Sequence, residues 1–124
     1  MIVRNANKQQ RVAQRGGGDT GRIAYEVNWL LEKDDFASNL DHVAAVKLPP
    51  GASGLRHSHA QEEIYLLMAG SATMYVDADE QVLSPGDMVL IHPGKTHYLA
   101  NTSDAEVTFL AFNSFPCGTN PPGE

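Results

Sequence analysis

Among 124 residues the chain has one cysteine, Cys117, and one tryptophan, Trp29. A single cysteine excludes an internal disulfide framework and points to a reducing compartment. Positive charge is also scarce. Nine Lys and Arg against 15 Asp and Glu give a net charge of −6, which argues against nucleic acid or an anionic membrane as the main partner. No apolar run approaches the ~20 residues that a membrane helix requires. The opening Met1-Ile2-Val3-Arg4-Asn5-Ala6-Asn7-Lys8 lacks the apolar centre of a signal peptide. The length suits one compact domain, able to bury about two thirds of its unfolded surface without staples. A soluble, cytoplasmic, single-domain protein is expected, with no nucleic acid and no membrane as partner. Histidine is present in useful number, five in all.

Helical periodicity is nearly missing too. Only residues 29–36 have the character of a short helix, and Asp34-Asp35 weakens it. The rest is a series of short β-type runs separated by Pro/Gly turns. They cover residues 22–27, 42–48, 64–68, 71–76, 88–91 and 107–112, with an acidic turn Asp77-Ala78-Asp79-Glu80 after the fourth. Such spacing predicts an all-β sandwich or small barrel. Residues 1–21 read as a polar arm with a glycine turn, ordered by a partner subunit. Residues 116–124 read as a Pro/Gly tail. The cluster Gly16-x-Gly18-x-x-Gly21 copies the dinucleotide fingerprint literally, but no apolar strand precedes it and a β-type run follows, so it is a turn. There is no Gly-x-Ser-x-Gly elbow, and Cys117 has no neighbouring histidine. Hydrolytic triads and thiol nucleophiles are therefore unsupported.

Chemistry concentrates between Gly51 and Asn101. In His57-Ser58-His59 the two imidazoles share one face of an extended segment. Glu63 follows with the same parity, at the head of an apolar run where a carboxylate is costly to bury without a partner. His97 stands after Pro93-Gly94-Lys95-Thr96, placed to fold back opposite the other two. Three imidazoles and a carboxylate suit Mn, Fe, Co, Ni, Cu or Zn rather than Ca or Mg. Four such ligands leave one or two positions open for substrate, water or dioxygen. Spacing by itself leaves two readings, a metal site or hydrogen-bonded histidines.

The two motifs also carry a resemblance. Gly51-x5-His57-x-His59-x3-Glu63-x6-Gly70 is similar to the first cupin motif at every fixed position. Gly86-x5-His92-x-Gly94-x2-His97-x3-Asn101 is similar to the second, except that His92 stands where the family usually has proline. The resemblance covers residues 42–112. It implies a single double-stranded β-helix, or jelly-roll, barrel over residues 22–115. It implies one divalent transition metal inside, with His57, His59, Glu63 and His97 as ligands, Glu62 facing away and Asn101 supporting the second motif. Gly51, Gly70, Gly86 and Gly94 fall on the family's turn glycines.

Similar cupins include dioxygenases, decarboxylases, isomerases, lyases and cyclases. A metalloenzyme acting on a small oxygen-rich metabolite is the leading expectation, and a non-catalytic sugar- or effector-binding cupin is the alternative. A storage role resembling the much longer seed globulins is remote. Tyr65, which shares the parity of Glu63, and His92 are the candidate catalytic acids or bases, with a surface position the other reading for His92. Tyr75, Met74 and Met88 are candidate cavity residues or ordinary core, and Arg56 and Lys95 are candidate contacts for an anionic substrate or solvated surface charges. His42 is expected to be a satisfied strand residue. Small cupins commonly dimerise by exchanging N-terminal strands, so a homodimer through residues 2–15 and 22–27 is expected.

Overall fold

The computed structural model describes residues 1–8, 12–15 and 23–116. The glycine cluster, Arg22 and Cys117 with the tail beyond it lie outside the described residues. Nine strands follow in order: β1 (Val12–Arg15), β2 (Tyr25–Leu31), β3 (Leu40–Leu48), β4 (Glu62–Ala69), β5 (Ala72–Val76), β6 (Asp79–Leu83), β7 (Met88–Ile91), β8 (His97–Ala100) and β9 (Val107–Ser114). They form a six-stranded sheet of order β1-β2-β3-β9-β4-β7 and a three-stranded sheet of order β6-β5-β8, with every pairing antiparallel. This is the jelly-roll barrel that the sequence predicts.

Alternation builds the inside of the larger sheet. Along β9 the buried residues are Val107, Phe109, Ala111 and Asn113, with half-buried residues between them. Register then sets three rows across the inner face. Glu63 pairs with Asn113, which pairs with His42. Tyr65, Ala111 and Ala44 form the next row, and Leu67, Phe109 and Val46 the third. The polar row thus lies beside an apolar core that continues through Leu48, Ile91 and Leu99.

Three boundaries differ from expectation. Strand β2 runs through Trp29 to Leu31, because these residues pair with Ala44 and Val43 of β3. The expected helix shrinks to a 3-10 turn at Lys33–Asp35, closed by a capping box in which the Glu32 N–H donates to Asp35 at 3.0 Å. The acidic turn is only Asp77-Ala78, since Val76 already faces Asp79 across a hairpin. Asp77 takes a positive φ of 50° and ties this hairpin to the segment before β8. Its N–H donates to the Thr96 carbonyl at 2.8 Å, and its carboxylate accepts from the Thr96 N–H at 3.0 Å. In the polar arm, Val12–Arg15 pair along β2 of the same chain.

Gly70 and Gly86 both have positive φ, yet their surroundings differ. A Cβ at Gly70 would stand 2.7 Å from the Glu106 carbonyl and 2.9 Å from Val107, whereas one at Gly86 would meet nothing within 4 Å. Gly86→Ala should therefore lose only the left-handed backbone cost of about 1–2 kcal/mol. Gly70→Ala adds overpacking and should lose about 2–5 kcal/mol. Urea unfolding of the two variants checks this, and equal losses would contradict it.

Candidate metal centre

Two backbone hydrogen bonds set up the site. The His57 N–H donates to the His97 carbonyl at 3.3 Å, and the His97 N–H donates to the His57 carbonyl at 2.9 Å. A pair that exchanges both bonds places its side chains on one face. The segment after His57 is held as well, because the Gly94 N–H donates to the His59 carbonyl at 2.9 Å. Glu63 enters from the other sheet, at the start of β4. The result is that ligand atoms of His57, His59, Glu63 and His97 all lie within 4.8 Å of one another.

Each imidazole is aimed by its own backbone. Nδ1 of His57 meets the Leu55 carbonyl at 2.6 Å, Nδ1 of His59 the Gln61 carbonyl at 3.0 Å, and Nδ1 of His97 the Lys95 carbonyl at 2.8 Å. A carbonyl only accepts, so each Nδ1 carries the hydrogen and each Nε2 is the nitrogen left to bind a cation. The rings cluster, with centroids 4.6 Å apart for His57 and His97, 5.0 Å for His59 and His97, and 5.2 Å for His57 and His59. Glu63 Oε1 faces Nε2 of His97 at 2.7 Å and Nε2 of His59 at 3.2 Å. Three imidazole Nε2 atoms and one carboxylate oxygen, with the rings aimed from behind, would fit a first-row transition metal that displaces the proton His97 shares with Glu63.

Glu63 is buried, with 5% of its surface exposed. Burial would raise its pKa, but hydrogen bonds from His97 and Asn113 and the neighbouring imidazoles outweigh this and hold it below the ordinary 4.5. For His97, burial works downward, but the bond to Glu63, the Lys95 carbonyl and the Glu63 charge raise it above the ordinary 6.5. The raised His97 stabilises the folded apoprotein below pH 6.5, and this contribution is lost as pH rises through its folded value. The depressed Glu63 stabilises it above pH 4.5, and this is lost as pH falls through its folded value. Apoprotein stability should therefore be highest between about pH 4.5 and 6.5 as far as this pair governs it. Metal affinity should instead climb as pH rises past 6.5, because bound metal needs neutral imidazole. Thermal unfolding from pH 5 to 8, with and without metal, reads both slopes. Parallel slopes would contradict the assignment.

Behind Glu63 stand two residues that the motifs did not mark. The Asn113 side-chain amide donates to Glu63 Oε2 and also to Nε2 of His42 at 2.9 Å. Nε2 of His42 thus accepts, and its Nδ1–H donates to Asp41 at 3.0 Å. A chain Asp41–His42–Asn113–Glu63 runs along one row of the sheet to the ligand cluster. The available signal was the parity of β9, where an asparagine inward with Val107, Phe109 and Ala111 needs a buried partner.

Other sequence candidates fall elsewhere. His92 does not join the cluster. It follows inward-facing Ile91, so alternation turns it outward, where its Nδ1 pairs with Glu62 at 2.8 Å and its side chain is 66% exposed. Met88 is also outward, 62% exposed. Met74 is buried in the core, and Tyr75 stacks on Tyr98 at 4.6 Å. Lys95 pairs with Asp77 at 3.4 Å, and Arg56 is exposed. Asn101 is a structural brace: its amide donates to the Leu48 and Ala105 carbonyls at 2.9 and 2.7 Å.

Residues 44–113 match the family model described as cupin domain. The chain belongs to the cupin family. This cupin is 30% identical over 113 residues to a Thermotoga maritima protein described as an oxalate-binding protein, covering 90% of this chain and 91% of that one. It also resembles the crystal structure of a predicted oxalate decarboxylase from Thermotoga maritima. The TM-score is 0.83 and the identity 24%, over 93% of this chain and all of that one. A sugar phosphate isomerase of the cupin superfamily from Silicibacter pomeroyi is similar at a TM-score of 0.61 and 30% identity, over 73% of this chain and 60% of that one.

The His57, His59, Glu63 and His97 cluster, which could hold a metal ion, borders a cavity of about 390 Å³, with His57 and Glu63 in its wall. Tyr65 lines the same cavity and is 7% exposed, its ring edge-on to His97 at 6.0 Å and beside Phe109 at 4.7 Å. Burial, then the charge of Glu63, pushes the Tyr65 phenol well above its ordinary pKa. The phenol stays protonated near neutral pH, so it can donate a hydrogen bond but is suited neither to serve as a base nor to give up its proton.

Proposed function

We propose that this chain is a metal-dependent cupin enzyme that turns over a small oxygen-rich metabolite. His57, His59, Glu63 and His97 would hold one divalent transition metal, which when bound supplies Lewis acidity or, if iron, dioxygen chemistry. The observation that carries the proposal is the orientation of the site. Three Nδ1–H groups are pinned to carbonyls, so three Nε2 atoms and Glu63 converge beside a half-open, largely apolar cavity. The chain's own residues supply the remaining work. Asn113 fixes the Glu63 carboxylate, the apolar walls bound the space beside it, and Tyr65 offers a hydrogen-bond donor to an oxygen that gains charge.

Binding without turnover is the second reading. It is favoured by the description of the Thermotoga maritima relative and by the cavity lining, where Glu63 is the only carboxylate among the described residues. The two separate in one experiment. Metal-loaded protein is incubated in air with oxalate and with simple 2-oxo acids, and the mixture is followed by NMR. Product in excess of the protein supports the enzyme, whereas stoichiometric retention of unchanged ligand favours the binder. Turnover that survives complete metal removal would overturn the enzyme proposal. As a cytoplasmic protein of this kind the chain would act on a dissolved metabolite, as a homodimer joined through its N-terminal strands.

A further inference from the structure

The cavity beside the metal cluster is too large and too apolar for a ligand that is all carboxylate. Its volume of about 390 Å³ falls within the range of about 300–1,000 Å³ typical of sites for drug-sized ligands. Register explains the space. The row that holds Glu63 and Asn113 is followed by Tyr65, Ala111 and Ala44, and then by Leu67, Phe109 and Val46. Successive rows on one face of a strand lie about 7 Å apart. Two alanines side by side, 5% and 2% exposed, thus lower the floor one row away from the ligands, and Val46 and Phe109 close it behind. A carboxylate-only ligand on the metal would leave that floor and its walls without contact.

We infer that the ligand of this site has two parts: a chelating oxygen head, such as a 2-oxo carboxylate, and an apolar body the size of a six-membered ring. The head would meet the metal, and the body would lie over Ala111 and Ala44 against Val46 and Phe109. Arg15, on edge strand β1, supplies the only Lys or Arg among the described lining residues. The inference rests on the metal-site proposal above and narrows its substrate class from small oxygen-rich molecules to those carrying such a body.

The test uses two probes with the same head, pyruvate and phenylpyruvate, titrated calorimetrically into manganese-loaded protein. Burial of a phenyl group predicts that phenylpyruvate binds about 10- to 100-fold more tightly. Ala111→Leu, which fills the floor, should remove the preference for phenylpyruvate over pyruvate. Ala44→Val is the milder second variant and should shrink the ratio without abolishing it. Affinities within twofold of each other in the wild-type protein would overturn the two-part ligand and leave the metal site standing. The same preference after complete metal removal would uphold the apolar body site and overturn the metal reading instead.

Discussion

His59→Ala should abolish the stabilisation that a transition metal confers while changing the apoprotein little. For wild-type protein at a free metal concentration of one hundred times Kd, linkage gives about 2.7 kcal/mol of added stability. For a domain of this size that corresponds to a rise in Tm of about 10 °C. His59 is the informative ligand to remove. It is only half-buried, so truncation leaves no large cavity, and its 3.2 Å contact with Glu63 is longer than that of His97. His97→Ala should lose the metal shift too, but His97 is 1% exposed and its loss also opens the core and strips Glu63 of its shortest imidazole contact. Differential scanning of apo and metal-loaded forms separates the two effects. A His59→Ala protein that keeps the full metal shift would remove that residue from the ligand set.

The second large effect is expected one residue further out. Asn113→Leu keeps the volume of the side chain but deletes the donor to Glu63 Oε2 and the donor to His42. Glu63 is then a buried carboxylate with one oxygen unsatisfied, which costs about 1–3 kcal/mol of stability. Partners of this kind orient metal ligands, and their loss typically weakens metal affinity about 10- to 100-fold. His42→Phe leaves the Asn113–Glu63 bond in place and should cost much less of the metal affinity. Competition titration against a coloured chelator measures both. Wild-type affinity in Asn113→Leu would show that the Asp41–His42–Asn113 chain merely fills space.

That His57, His59, Glu63 and His97 come together was legible because they are spaced by strand geometry. His57, His59 and Glu63 share parity, and the glycine turns around Gly70 and Gly94 are written in the sequence as turns. His92, open between a surface place and the site, takes the surface one: one residue past Ile91 the alternation points it at Glu62 and solvent. The boundaries of β2 and the strand β6 were not legible. Trp29 to Leu31 are extended because of what β3 offers them, and Asp79–Leu83 has polar character yet pairs fully with β5. His42 is the satisfied strand residue expected, with both ring nitrogens hydrogen-bonded, but Asn113 and its link through His42 to Glu63 were missed because they depend on a register between β3, β9 and β4, and local spacing does not carry register.

Metal content tests the central claim most directly. Untagged protein would be loaded with manganese, cobalt or zinc, desalted, and analysed for metal by mass spectrometry alongside His59→Ala and Asn113→Leu. Wild-type protein should retain one transition-metal ion per chain and no calcium or magnesium. His59→Ala should retain none, and Asn113→Leu should retain metal with reduced occupancy. A wild-type protein that holds no transition metal after loading, or a His59→Ala protein that holds as much as the wild type, would contradict the account.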